Sequence, residues 1–187
     1  MRSLTFSHLG IYVRDLPRMA AFYQRVLGFT QTDQGFLPTA DPARPVELIF
    51  LSGNPEEHHQ IVLASGRPAE AHFNVVNQIS LRAASLEALQ QHHAQVEAEV
   101  AAGQASNLAP ITHGNAISIY FSDPEGNRLE MFIDTPWYVS QPVRVPIELK
   151  QPAAEVMAWA ENHERELEGF CPRAQWVARM KTKMGSA

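Results

Sequence analysis

The sequence predicts an α+β fold: two paired β-α-β-β-β modules forming a U-shaped mixed-sheet trough, followed by a C-terminal helical extension. Three observations predict it. Ser7-His8-Leu9-Gly10-Ile11-Tyr12 lines up with Asn77-Gln78-Ile79-Ser80-Leu81-Arg82, 70 residues further on, and an internal period marks a duplicated supersecondary unit. In each half, runs alternating apolar and polar residues, the mark of half-buried strands, surround one segment with helical spacing. Finally, Asp123-Pro124-Glu125-Gly126-Asn127 separates two alternating runs. Proline presets one backbone angle and Gly and Asn tolerate the left-handed region, so this is hairpin-turn chemistry. The modules are expected over 1–66 and 75–134, as one domain spanning 4–134, with the extension over 135–187.

The elements follow in order. Residues 4–13 read as a strand with Leu9, Ile11 and Val13 behind and His8, Gly10 and Tyr12 in front. Asp15 caps a helix with Pro17 in its first turn, Met19, Phe22, Tyr23, Val26 and Leu27 form its core face, and Gly28 closes it. A short strand over 29–34, a loop over 35–45 with three prolines, a strand over 46–51, a turn over 52–57 and a strand over 58–64 complete the module. Residues 65–74 are the linker. The strand over 76–83 puts Ile79 and Leu81 behind and Gln78, Ser80 and Arg82 in front. Ser85 opens a helix running to about Ala101, and strands over 106–112, 117–121 and 128–133 follow. His92 and His93, mid-helix among Gln and Glu, read as surface residues.

The extension is expected to be extended around 135–146 and helical over 152–167 and 172–180, with the last six residues or so frayed. It carries all three tryptophans, Trp137, Trp159 and Trp176. So aromatic a tail is expected to pack on the body or on a second subunit, which makes a homodimer the expected assembly.

Composition excludes several classes. The 187 residues are 45% hydrophobic, which suits one core or two small modules sharing one. A net charge of −5 without a basic stripe argues against a nucleic-acid partner. The single cysteine, Cys171, rules out an intramolecular disulfide framework and fits a reducing compartment. There is no apolar signal core at the N-terminus and no run of roughly 18 apolar residues for a membrane span. A soluble cytoplasmic protein is expected.

Glu130 sits mid-strand, where an unpaired buried charge is costly. It therefore faces water or is offset by a metal or an arginine. If the two sheets form a trough, Glu130, His8 and Gln78 can converge in it. An imidazole nitrogen, an amide oxygen and a carboxylate with open positions opposite suit a hard-to-borderline divalent cation. Tyr12, Ser80 and Arg82, on the same front faces, would line the pocket.

Two motifs carry a resemblance. Asp15-Leu16, Phe22-Tyr23 and Val26-Leu27-Gly28-Phe29 form one; Tyr120-Phe121, Asp123-Pro124, Gly126-Asn127 and Glu130 form the other. Over roughly residues 4–134 the chain resembles the vicinal oxygen chelate superfamily, which includes glyoxalases, type I extradiol dioxygenases and bleomycin-resistance proteins. The resemblance implies metal ligands at His8, Gln78 and Glu130. Glyoxalases add a fourth ligand where this chain has Val62, which disfavours that activity. His58-His59 before a strand, and Tyr120 before the final turn, resemble the ring-cleaving dioxygenases, although Gln78 stands where those have a second histidine.

The implied activity is extradiol cleavage of a catechol-like aromatic by dioxygen, with Fe(II) as the cofactor and Mn(II), Zn(II) or Ni(II) as alternatives. His59 would act as acid/base, Tyr120 would hydrogen-bond a substrate oxygen, and His113 would line the pocket. Matching the repeat through Val62 and Glu130 favours His58 over His59, and both stay open. Two rivals remain: an isomerase or lyase stabilising an enediolate on the same metal, and a metal-free small-molecule binding protein.

Overall fold

The computed structural model describes residues 4–38 and 45–185; most of the loop expected over 35–45 lies outside them. The first module consists of β1 (Leu9–Val13), α1 (Leu16–Leu27), β2 (Thr30–Leu37), β3 (Val46–Ser52) and β4 (Ile61–Ser65). The second consists of β5 (Ile79–Arg82), α2 (Leu86–Ala101), β6 (Ser106–Thr112), β7 (Ala116–Ser122) and β8 (Arg128–Asp134). The extension adds β9 (Trp137–Tyr138), β10 (Val145–Pro146), α3 (Ala153–Glu164), β11 (Cys171–Pro172) and α4 (Arg173–Lys183). This is an α+β fold with a C-terminal helical extension.

The sheets repeat each other. The first has the order β1-β4-β3-β2 and the second β10-β6-β7-β8-β5. Read from β5, the second runs β5-β8-β7-β6, the same path. In both, the module's first strand lies parallel to its last, and a parallel pair needs a long crossover such as α1 or α2. The chain forms two compact units. One runs to Asn77 and includes Asp123–Asn127; the other comprises Gln78–Ser122 and Arg128 onward.

Several boundaries differ from expectation. β1 begins at Leu9 rather than residue 4, because its partner β4 begins at Ile61, paired with Leu9. The alternation over 4–8 meets no strand. His8 therefore precedes β1 instead of standing on it, and Gln78 likewise precedes β5. β4 starts at Ile61, so His58 and His59 belong to the preceding turn rather than to a strand. β2 runs on through Gly35 to Leu37, because β3 pairs with it along that length.

Helix α1 forms as its sequence dictates. Asp15 Oδ1 accepts the Arg18 amide at 3.0 Å, and Gly28, at φ 72°, ends the helix in the left-handed conformation that glycine adopts freely. Met19, Phe22, Tyr23 and Val26 are buried. In α2, His93 is only 5% exposed, against the surface reading. It lies on the same stripe as the buried Leu86, Leu89 and Val96, at the spacing that makes residues neighbours on one helix face.

The turn between β7 and β8 packs into the first unit. Asp123 Oδ1 accepts the backbone amides of Glu125 and Asn127, both at 2.9 Å. Its Oδ2 accepts Asn127 Nδ2 at 2.8 Å and the Tyr23 hydroxyl at 3.2 Å. Glu125 Oε1 accepts the amides of Arg14 and Asp15 at 2.7 and 2.8 Å. Asp123 is 3% exposed, and burial raises its carboxyl despite these donors. Asp123→Ala strands the buried Tyr23 hydroxyl and three half-buried donors at once and is expected to cost about 3–5 kcal/mol. Chemical denaturation checks this; a loss under about 1 kcal/mol would contradict the role.

Candidate functional site

Strand register brings a row of polar side chains together on one face of the second sheet. Glu130 pairs with Ser80 across β5–β8 and with Tyr120 across β7–β8. Facing pairs share a side of the sheet, and residues two apart on a strand share it too. Ser118 and Tyr120 therefore flank Glu130.

Glu130 is 6% exposed and accepts three neutral donors. The Gln78 amide donates to Oε2 at 2.8 Å, the Ser80 hydroxyl to Oε2 at 2.5 Å, and the Ser118 hydroxyl to Oε1 at 2.7 Å. The Gln78 amide also donates to Ser80 Oγ at 3.0 Å. Of the alternatives water, metal or arginine, no arginine is among these donors. Neutral donors satisfy its hydrogen bonds but leave its charge without a counter-ion among them.

Tyr120 and His113 form a second group on this unit. His113 Nδ1 lies 2.6 Å from the Val143 carbonyl, which can only accept, so Nδ1 carries the proton. In the neutral ring Nε2 then accepts the Tyr120 hydroxyl, 2.9 Å away. Burial, then the neighbouring Glu130 carboxylate, push the Tyr120 phenol up to about 12. The Arg128 guanidinium lies over the Tyr120 ring, 4.3 Å from its centroid. The extension thus fixes the tautomer of His113 through Val143, and the Gln141 amide donates to the His113 carbonyl at 2.6 Å.

Of the expected pocket residues, Ser80 is engaged with Glu130. Arg82 forms an ion pair with Asp134 and lies over the Phe132 ring at 4.6 Å. Arg173 joins the same Asp134 carboxylate at 2.8 Å.

The first unit carries His8, His58 and His59. The His8 ring is 4.3 Å from that of His59, and His58 Nδ1 is 2.8 Å from His59 Nδ1. Phe50 meets both rings edge-on, at 5.4 and 5.2 Å. Desolvation, then the neighbouring His8 and His58, lower the pKa of His59. The first sheet's counterpart of the Ser80–Glu130–Tyr120 row is Gly10–Val62–Phe50. Val62 thus occupies the register position of Glu130, and Phe50 that of Tyr120. Tyr12 is 62% exposed.

Among the described residues, no three His, Cys, Asp or Glu side chains cluster as a ready metal centre. A cation at Glu130 would need other donors, such as the Gln78 amide oxygen. The donor chemistry still fits: a buried carboxylate hydrogen-bonded by neutral groups is a place where a cation supplies the absent charge. Sequence reasoning missed Ser118. Its signal was present, since it lies two residues before Tyr120 on an alternating strand.

A family model described as the Glyoxalase/Bleomycin resistance protein/Dioxygenase superfamily matches residues 5–131. No curated protein matches the sequence. Among solved structures, the trypanothione-dependent glyoxalase I of Leishmania major is 19% identical with a TM-score of 0.50, covering 88% of this chain and 97% of that one. A mutant of the fosfomycin resistance protein FosX from Listeria monocytogenes, complexed with Mn(II) and 1S,2S-dihydroxypropylphosphonic acid, is 19% identical with a TM-score of 0.51, covering 72% and 93%. A glyoxalase I mutant from Zea mays is 16% identical with a TM-score of 0.52; the match covers 68% of this chain and 45% of that one. At these identities the likeness shows the fold alone.

Proposed function

The chain belongs to the Glyoxalase/Bleomycin resistance protein/Dioxygenase superfamily, and from that premise we propose that it is a metal-dependent enzyme of the extradiol type, cleaving a catechol-like aromatic with dioxygen. The observation that carries this reading is Glu130, buried and hydrogen-bonded by neutral donors, with the Tyr120 phenol beside it. Glu130 and the Gln78 amide oxygen would hold the ion, with His8 carried over by resemblance alone. The resident metal would be Fe(II); Mn(II), Zn(II) or Ni(II) could use the same donors. When bound, Fe(II) would supply chelation of two adjacent substrate oxygens and activation of dioxygen.

The chain's own groups set the protons. With its pKa near 12, the Tyr120 phenol stays protonated at neutral pH, and by turning its single O–H away from His113 Nε2 it would donate to a substrate oxygen. His113, held by the Val143 carbonyl, offers Nε2 as the acceptor behind it. By resemblance His59 is the acid/base, with His58 as the alternative; its lowered pKa favours the neutral, proton-accepting ring. Val62 in the register position of Glu130 gives the first sheet no donor there, which disfavours the four-ligand glyoxalase arrangement.

A second reading rests on Gln78. Its amide donates to both Glu130 and Ser80, a closed network that also suits a metal-free small-molecule binding protein. Oxygen-electrode assays of Fe(II)-loaded protein on a catechol panel separate the readings. Oxygen uptake with ring opening is expected. Bound metal without uptake points to the isomerase or lyase class, and no metal with tight ligand binding points to the metal-free reading.

The aromatic extension underlies a proposed homodimer. A dimeric mass by sedimentation at micromolar concentration is expected, and a strictly monomeric mass contradicts it.

A further inference from the structure

We propose that a cleft beside β1, within the first compact unit, binds a small monocarboxylate with a compact apolar body. The cleft measures about 280 Å³ and its apolar lining includes Ile11, Ala71, Phe73 and Val75. Pockets for drug-sized ligands run roughly 300–1,000 Å³, so a smaller molecule fits. Phe73 and Val75 are 84% and 91% exposed, and an apolar ligand would take their surface from water.

The polar part of the lining is Arg67, Asn74 and Asn127. The Arg67 side chain is 8% exposed, a buried cation in the wall of a cavity. Nη1 donates to Asn127 Oδ1 at 3.0 Å and Nη2 to Asn74 Oδ1 at 2.5 Å. Both acceptors are neutral. They use two of the guanidinium's five N–H groups. The paired carboxylate oxygen, Glu125 Oε2, stands 3.9 Å away and has no hydrogen-bond partner, while Oε1 is committed to the amides of Arg14 and Asp15.

The cleft therefore presents a guanidinium with unused donors, loosely compensated and facing apolar walls. A ligand carboxylate matches those donors with charge-assisted bonds. The Glu125 charge nearby selects a monoanion over a dianion such as a phosphate monoester, by like-charge repulsion. The inference does not rest on the metal reading, because every residue it uses lies outside the Glu130 group.

The test is a chemical-shift titration of the ¹⁵N-labelled full chain with no metal added, using benzoate and 3-methylbutanoate as probes and benzyl alcohol as a neutral control. At least one carboxylate is expected to bind saturably, with shifts centred on residues 67–76, and at least tenfold more tightly than benzyl alcohol. Ala71→Trp, which fills the cleft, should weaken binding at least tenfold. Should that variant not fold, the double variant Arg67→Met with Glu125→Gln removes the cation without leaving a lone buried carboxylate, and the same loss is expected. Saturable binding by neither carboxylate, equal binding of benzyl alcohol, or undiminished binding in a folded variant would overturn the proposal.

Discussion

Glu130→Ala is expected to weaken Mn(II) or Fe(II) binding at least a hundredfold, the equivalent of about 2.7 kcal/mol or more, and to abolish turnover. The carboxylate is the one charged donor in its group; Gln78, Ser80 and Ser118 are neutral. Removing it leaves only neutral oxygens in the group, such as that of the Gln78 amide, and these hold a divalent ion poorly without a carboxylate. The substitution also strands the Ser118 hydroxyl, which is fully buried, at a cost of about 1–3 kcal/mol. Glu130→Gln separates the two effects. It keeps the volume and an acceptor for Ser118 while removing the charge, so metal affinity falls as far with a smaller loss of stability. Isothermal titration of anaerobic protein with Mn(II) reads the affinity. Unchanged affinity in both variants would remove Glu130 from the metal site.

Glu164→Ala is expected to lower stability by about 3–5 kcal/mol. Glu164 is fully buried and ties the extension to the second sheet: the Thr112 hydroxyl and the Trp137 indole N–H both donate to its carboxylate. Alanine leaves both donors unpaired and opens a cavity. For a chain of this length, that loss corresponds to a fall in Tm of roughly 10 °C. Burial raises the carboxyl's pKa above its ordinary value, against the pull of these two donors. The sign then follows from proton linkage. A raised folded pKa means that the native state holds the proton more tightly. The stabilisation is fully present below the unfolded value and is lost as pH rises through the folded one. Glu164→Gln keeps an acceptor for the indole and removes the titration, so it should flatten that fall. Denaturation midpoints across pH 4 to 8 check both outcomes. Equal pH slopes for wild type and Glu164→Gln would contradict the assignment.

Much of the fold was legible because its signals are local. The repeat that aligns His8 with Gln78 reappears as two sheets with the same strand path, and the Asp15 cap and Gly28 stop act where they were expected. What failed were features decided by partners distant in sequence. A strand is as long as its neighbour allows, so the alternation before Leu9 produced no strand, and His8 and Gln78 fell one residue outside. His93 looked polar by its neighbours in sequence, yet the helix face it shares with Leu89 and Val96 is the buried one. The cost of burying Glu130 was legible; what offsets it was not, because Ser80 and Ser118 reach it through strand register rather than sequence proximity. Asp123 read as turn chemistry, but its bond to Tyr23, 100 residues away, belongs to tertiary packing.

The most direct test of the central claim is the metal content of the full-length protein, purified anaerobically, loaded with Fe(II) and desalted. About one iron per chain by elemental analysis is the expected result, with a manganese-loaded sample giving the same ratio. Protein that retains no metal under these conditions while remaining folded would contradict a catalytic metal at Glu130.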